Sequence, residues 1–175
     1  MAESKEYIEA LENSHNREYF FNIVNEFPNL IELADEKIRD DKEIILRAVS
    51  VDGGSLEFAS DNMKDDKDVL LTATKQAGWV CCYASERLKG DKDVLLSACK
   101  NDGQALYYAS KELRDDKDVV MTAVSNKPLI VKYASLRLRK DKDIAIATIS
   151  KGKKSVIEFF DEALINDEEI KKLYE

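Results

Sequence analysis

The chain has 175 residues, 44% of them apolar and 35% charged, a composition typical of a globular domain rather than of a disordered segment. Its net charge of −8 disfavours nonspecific binding to phosphate backbones, so we expect no nucleic-acid partner. No apolar run approaches the ~20 residues that a membrane span needs, and the first residues, "MAESKEYIEA", lack the pattern of a signal peptide. We therefore expect a cytoplasmic protein with no membrane contact.

A short motif recurs along the chain at a fixed interval. Aspartate, lysine and a second acid stand together five times, and the same interval separates each aspartate from the next: Asp41, Asp66, Asp91, Asp116 and Asp141. Residues 16–24 continue this register backwards as a degenerate copy, and residues 166–174 continue it forwards after one inserted residue. Such periodicity indicates one supersecondary unit stacked on copies of itself. The pattern predicts a single domain over residues 1–175, with degenerate capping repeats over residues 1–29 and 151–175.

The longer helix of each unit is predicted to begin at the recurrent aspartate. That side chain can cap free backbone N–H groups, and the acid two residues later lies where the helix dipole favours it. Apolar residues follow at helical spacing, as in Ile44, Ile45, Ala48 and Val49. A column of helix breakers is expected to end this helix: Pro28, Gly53, Gly78, Gly103 and Pro128.

A shorter helix is predicted through stretches such as "SLEFASDNMK" and "ALYYASKELR". Leu56, Ala59 and Met63 mark its buried side, and it ends in a basic residue, which suits the negative C-terminus of a helix. One such hairpin cannot bury its apolar face alone, so each unit is expected to cover the next. The predicted fold class is all-α: a right-handed α-solenoid of about six 25-residue helix-turn-helix repeats.

The recurring columns also resemble a known family. Its tandem helical-hairpin repeats follow the pattern YAS–x–x–L–x–x–DK[DE][VI], occur in bacteria and protists, and are known only as a domain of unknown function. The resemblance extends over roughly residues 30–149, where five DK[DE][VI] copies match, and it is weaker at both ends. Gly90 and Lys140 depart from the pattern just before the aspartate, and Phe160 stands where alanine is expected. The resemblance carries no activity onto these residues.

The residues that catalysis requires are scarce. His15 is the only histidine, so metal clusters and Ser/His or Cys/His pairs lack the parts they need. The three cysteines form no disulfide or zinc pattern, and Cys81 and Cys99 share columns with apolar residues, whereas Cys82 is expected to be partly exposed. We predict no catalytic residue, no cofactor and no metal site, and hence no enzyme.

The acids that follow each cap position form a ladder with the period of the repeat, from Glu18 to Asp143. This ladder could bind divalent cations or a basic peptide, or each acid could serve only its own helix N-terminus. We favour the second interpretation, because the helix dipole accounts for every copy and the adjacent lysines suggest a solvated, mutually neutralised edge. The column of aromatic residues is likewise attributed to packing between helices rather than to stacking on bases.

Columns that vary between repeats are free to contact a partner. Variation is greatest in two columns, one in the shorter helix and one after the breaker: Glu57, Cys82, Tyr107 and Lys132; Gly54, Trp79, Gln104 and Leu129. The fold does not require a large side chain at Trp79, because other repeats have smaller residues in this column, and a large aromatic residue suits an interface anchor. Alternatively, Trp79 could pack across a neighbouring repeat. The candidate partner-binding residues are Trp79, Tyr107, Glu57, Cys82 and Lys132.

A second variable strip of mostly small side chains follows the longer helix: Arg47, Thr72, Ser97, Thr122 and Ala147. It could line a groove or permit close helix packing. The function that the sequence favours is a non-catalytic helical-repeat module that binds a protein or peptide. The alternatives are a small acidic inhibitor that imitates nucleic acid and a structural segment of a larger assembly. The identity of the partner and the oligomeric state stay open.

Overall fold

The computed structural model describes residues 5–175, apart from the side chain of Lys153. Residues 1–4, the start of the predicted N-terminal capping repeat and of the stretch without a signal-peptide pattern, lie outside the described residues. The described part contains helices and turns and no strand, which confirms the prediction of an all-α fold.

The longer helices recur along the chain, with 10 or 11 residues in the interior ones and 7 in the first and the last. After an N-terminal helix, Lys5–Glu12, they are Arg17–Ile23, Lys42–Val51, Lys67–Gln76, Lys92–Asn101, Lys117–Asn126, Lys142–Gly152 and Glu168–Tyr174. The predicted aspartate caps are confirmed: Oδ1 of Asp66, for example, accepts hydrogen bonds from the backbone N–H groups of Asp68 and Val69. Asn16 and Asp167 hold the same position in the first and last of these helices.

The shorter helix is not continuous as predicted, because it is divided into two pieces. The first pieces are 3₁₀ helices: Pro28–Leu33, Gly53–Phe58, Gly78–Tyr83, Gly103–Tyr108, Pro128–Tyr133 and Lys153–Phe159. The second pieces are single turns: Glu36–Arg39, Asp61–Lys64, Glu86–Lys89, Leu113–Asp115, Leu138–Lys140 and Glu162–Ile165. Between them, residues such as Ala59 and Ser60 are extended, with ψ angles of 157° and 163°.

The break in the shorter helix has two physical causes. The hydroxyl oxygen of Ser60 accepts a hydrogen bond from the backbone N–H of Met63, so the serine caps the single turn that follows it. The backbone N–H of Ser60 donates to the carbonyl of Arg39 in the preceding repeat, 2.9 Å away. A continuous helix would direct this N–H to a carbonyl four residues earlier, and the bond between repeats would be lost.

The glycines that begin three of the 3₁₀ helices do not act as helix breakers in the sense predicted. The longer helix already ends two residues earlier, at Gln76, and Gly78 has no left-handed backbone angle. A Cβ on Gly78 would lie 2.3 Å from the carbonyl oxygen of Ala98 and 2.8 Å from the backbone nitrogen of Asp102. Glycine is required there because the next longer helix packs directly against this backbone.

The core is a continuous row of apolar side chains from successive longer helices and the pieces that cover them. Every interior longer helix contributes four fully buried residues in the same places, such as Val94, Leu95, Ala98 and Cys99. Each longer helix packs on the next one along the chain, and each 3₁₀ helix does the same on the opposite layer. The row extends into both terminal repeats, where Phe20 and Ile170 are fully buried.

Candidate partner-binding surface

The five predicted binding residues all lie in the layer of 3₁₀ helices. Glu57, Cys82, Tyr107 and Lys132 hold the fifth position of four successive 3₁₀ helices, and Trp79 holds the second position of its own. Since each of these helices packs on the next, the fold arranges the five side chains along one layer. They do not form a compact cluster, and their exposure differs from one position to another.

Trp79 combines packing across the neighbouring repeat with exposure to solvent. Its ring contacts the edge of Tyr83, with centroids 5.9 Å apart, and its Cζ2 atom lies 3.5 Å from where a Cβ on Gly54 would be. The missing side chain of Gly54 therefore leaves room for the indole. The side chain is nevertheless 44% exposed, so the two interpretations offered for Trp79 both describe part of its environment.

Tyr107 stands in a short aromatic cluster. Its ring meets Tyr108 and Tyr133 edge-on, with centroids 5.0 and 4.8 Å away, yet it stays 47% exposed. The ammonium group of Lys132 lies 5.0 Å from the centroid of the Tyr133 ring. These contacts fix the tyrosine rings while they leave one face of Tyr107 accessible.

Glu57 and Cys82 lie against the aromatic column rather than apart from it. Burial and a hydrogen bond to the Glu57 carboxylate raise the pKa of Tyr83 to about 12, so the phenol stays protonated and donates to that carboxylate. Burial also raises the pKa of the half-buried Cys82 thiol. Cys81 and Cys99 are fully buried, as predicted, and burial raises the pKa of each to about 12. None of the three thiols has the depressed pKa of a reactive cysteine.

Two further exposed side chains were not among the predicted binding residues. Leu136 and Leu129 are the most exposed large apolar side chains of the described part, at 69% and 56%. Leu136 occupies a column in which the other repeats have Glu36, Asp61, Glu86 and Lys111. An apolar residue in a polar column was the signal that could have identified it.

A depression of about 420 Å³ has Leu129 in its lining. It forms where the fourth and fifth 3₁₀ helices meet, and its lining includes Gln104, Lys127, Leu129, Ile130, Lys132 and Tyr133. Lys132 thus borders the depression, and Tyr107 contacts Tyr133, which also lines it.

The second variable strip also borders depressions, on the opposite layer of the molecule. Ser97 lines a depression of about 560 Å³ with Leu71 and Leu96, and Thr122 lines one of about 420 Å³ with Met121. The small side chains of this strip therefore leave shallow grooves between the longer helices.

The acids of the predicted ladder and the capping aspartates together form a set of ion pairs that joins each repeat to the next. This set is called the carboxylate ladder below. One cation of each repeat contacts two acids of the following repeat, through the groups Arg17–Asp41/Glu43, Lys42–Asp66/Asp68, Lys67–Asp91/Asp93, Lys92–Asp116/Asp118, Lys117–Asp141/Asp143 and Lys142–Asp167/Glu169. Twelve carboxylates thus face six cations. The predicted acids from Glu43 to Asp143 each lie 2.7–2.9 Å from a cation, in line with the expected neutralised edge. The capping aspartates share the same cations, so the whole ladder has six carboxylates more than cations.

The ladder shifts the ionisation of its members in opposite directions. Burial opposes ionisation of Asp91, but hydrogen bonds from Lys67 and from backbone N–H groups outweigh it and hold the pKa of Asp91 below its ordinary value. Hydrogen bonds to Asp91 and Asp93 raise the pKa of Lys67. Both shifts favour the ionised pair.

The described residues contain no group of three or more His, Cys, Asp or Glu side chains arranged to hold a metal ion. His15 is exposed, and its Nδ1 lies 2.9 Å from Oδ2 of Asp35; this hydrogen bond lowers the pKa of Asp35. Between residues 5 and 175, every helix is too short or too polar to cross a membrane.

The class that this architecture defines is a protein of tandem helical repeats. Four stretches match the family described as Domain of unknown function (DUF4116): residues 16–64, 41–89, 66–114 and 116–165. The matches span more than half of the sequence, and the chain belongs to this family. Each match starts at a residue that caps a longer helix, Asn16, Asp41, Asp66 or Asp116. No curated protein and no solved structure matches the chain.

The family match confirms the resemblance to tandem repeats of unknown function. The particular pattern YAS–x–x–L–x–x–DK[DE][VI] and the occurrence in bacteria and protists stay predictions.

Proposed function

We propose that this chain is a non-catalytic helical-repeat module, a right-handed α-solenoid of about six units, that binds a protein or peptide through its layer of 3₁₀ helices. The observation that supports this most is the exposure of Trp79 and Tyr107, 44% and 47%, at positions where the side chain differs from repeat to repeat and no other repeat has an aromatic residue. Partly exposed aromatic side chains that are held in place by neighbours are common energetic centres of protein interfaces.

The same proposal includes two further statements: the protein has no catalytic activity, and it is located in the cytoplasm. The thiols of Cys81 and Cys99 are buried, and the one histidine is exposed beside a single carboxylate. Three free cysteines suit a reducing compartment.

The test is a crosslinking pulldown from cell extract with three forms of the protein. Trp79→Ala combined with Tyr107→Ala should lose partners that the wild type retains. The control, Arg47→Ala combined with Thr122→Ala, changes the opposite layer and should retain them. Circular dichroism must show unchanged helix content in all three. Equal partners in the wild type and both variants would refute the proposed surface.

A small acidic inhibitor that imitates nucleic acid is the second candidate, and the carboxylate ladder supports it through its excess of six negative charges. This candidate predicts that the wild type displaces a DNA duplex from a basic DNA-binding protein. Changing Asp68, Asp93 and Asp118 to Asn should then abolish displacement, whereas the Trp79 and Tyr107 variant should retain it. No displacement by the wild type would remove this candidate.

A further inference from the structure

One repeat differs from all others in charge. Residues 119–140 contain no acidic side chain and carry five basic ones, in a chain whose net charge is −8: Lys127, Lys132, Arg137, Arg139 and Lys140. The equivalent residues of the preceding repeat, 94–115, include Asp102, Glu112 and Asp115. The basic repeat is also the one that exposes Leu129 and Leu136.

The depression beside this repeat is lined by both apolar and cationic side chains. Leu129, Ile130 and Tyr133 supply apolar lining, and Lys127 and Lys132 supply the charges. Tyr107 adjoins Tyr133 and extends the apolar surface beyond the depression. A site of this kind accepts an apolar side chain, while its lysines attract negative charge.

The cations of the basic repeat are not equally available. Lys127 contacts Asp102 at 3.0 Å and Gln104 at 3.1 Å, and Arg137 is engaged by Asp115. Within residues 5–175, Lys132 has no carboxylate within ion-pair distance, and its ammonium group lies instead beside the Tyr133 ring. Of the two lysines that line the depression, Lys132 is therefore the one whose charge is free to pair with an incoming anion.

We infer that this depression binds an acidic peptide segment, with an apolar side chain inserted between Leu129 and Tyr133 and a flanking carboxylate beside Lys132. The inference rests on the proposed function and specifies the chemistry of its partner. A basic peptide is opposed by the like charges of this repeat. Nucleic acid carries a charge on every nucleotide, so the negative charge of the carboxylate ladder opposes it more strongly than a peptide with one or two carboxylates.

The test is selection from a random 12-residue peptide library displayed on phage, against immobilised protein. Four forms are compared: the wild type, Lys132→Glu, the Trp79→Ala plus Tyr107→Ala variant, and Lys75→Glu. The last is the matched control, because Lys75 is an exposed lysine on the opposite layer. The most enriched peptide is then synthesised with a fluorophore, and its Kd is measured by anisotropy at low and high salt, beside a 12-nucleotide single-stranded DNA.

The expected result is enrichment of peptides with Asp or Glu next to an aliphatic or aromatic residue. Lys132→Glu should raise the Kd of the synthetic peptide by roughly 5- to 10-fold, and Lys75→Glu should raise it by less than about 2-fold. High salt should reduce the affinity of the wild type for the peptide. Enriched peptides without acidic bias that still require Trp79 and Tyr107 would refute this inference but not the proposed function. Failure to enrich any peptide would refute this inference alone, because the proposed function includes folded protein partners and is decided by the pulldown. Tighter binding of DNA than of peptide would assign the basic repeat to nucleic acid instead.

Discussion

Lys67 Nζ lies 2.8 Å from Oδ2 of Asp91, and the other oxygen of the same carboxylate caps the longer helix of the next repeat. One side chain thus satisfies the first N–H groups of its own helix and also binds the preceding repeat. Because the arrangement recurs along the ladder, forming a longer helix and docking it on its neighbour are coupled events. This coupling gives a physical reason for the recurrence of the Asp-Lys-acid motif.

The first prediction concerns the two acids of one ladder group. Asp91→Ala removes a helix cap and should lower the free energy of unfolding by about 1–2 kcal/mol. Asp93→Ala should lower the free energy of unfolding by less than about 1 kcal/mol, because Asp93 is 74% exposed and contributes an exposed ion pair and a weak interaction with the helix dipole. Urea unfolding followed by circular dichroism measures both values. Equal losses for the two variants would contradict the dual role of Asp91.

The second prediction is the pH dependence of stability. Four capping aspartates have a pKa below the ordinary value for aspartate, which is about 3.9: Asp66, Asp91, Asp116 and Asp141. Their ionised carboxylates stabilise the fold fully above about pH 3.9, and this contribution is lost as the pH falls through the lowered pKa values. The ladder lysines, such as Lys67, have raised pKa values, so their contribution is present below about pH 10.4 and is lost at higher pH.

The urea midpoint should therefore be nearly constant between about pH 5 and 9 and should fall on both sides. High salt should reduce the fall, because the ladder is partly exposed. A midpoint that rises between pH 4 and pH 3 would show that the carboxylates are not stabilised in the ionised form.

The third prediction uses a departure from the repeat pattern as a control. Ser85 donates its hydroxyl hydrogen to Asp65 of the preceding repeat and accepts from the backbone N–H of Leu88. Ser110 caps Leu113 in the same way, but Gly90 stands where the partner acid would be, and the Ser110 hydroxyl donates instead to Glu112 of its own turn. Ser85→Ala should thus cost about 1 kcal/mol more than Ser110→Ala in urea unfolding. A larger loss of stability for Ser110→Ala than for Ser85→Ala would mean that the hydrogen bond from Ser85 to Asp65 does not stabilise the fold.

The fourth prediction compares two glycines. Gly78→Ala should destabilise the fold by about 2 kcal/mol or more, because the new methyl group would meet the Ala98 carbonyl at 2.3 Å. Gly90→Ala should be neutral or stabilise by up to about 1 kcal/mol, since its φ is −97° and the nearest atom would be 3.4 Å away. Calorimetric melting of both variants decides the point. A stabilising Gly78→Ala would contradict the close approach between repeats.

The sequence predicted the features that depend on local chemistry. The aspartate caps, the longer helices and the buried positions of Cys81 and Cys99 follow from residue types at fixed spacing, and the structure has them all. The break at Ala59–Ser60 was missed because Leu56, Ala59 and Met63 fit helical spacing equally well. A serine followed by an acid, as in Ser85–Glu86, is a helix-start signal that would have indicated it.

The contacts between repeats could not be predicted from residue types and spacing within one repeat. Lys67 adjoins Asp66 and Asp68 in the sequence, so pairing within one repeat was the natural expectation. The structure instead directs Lys67 to Asp91 and Asp93 of the following repeat, because successive helix N-termini lie side by side in the stack. The predicted binding residues share a layer for the same reason, whereas the depression near Lys132 depends on the shape of two packed 3₁₀ helices.

The most direct test of the stacked repeats is an NMR measurement of couplings across hydrogen bonds. The backbone N–H groups of Ser60, Ser110 and Ser135 should couple to the carbonyl carbons of Arg39, Lys89 and Arg114, each of which belongs to the preceding repeat. Couplings from these serines to carbonyls only three or four residues earlier would instead show a continuous shorter helix, and the register between repeats described above would be wrong.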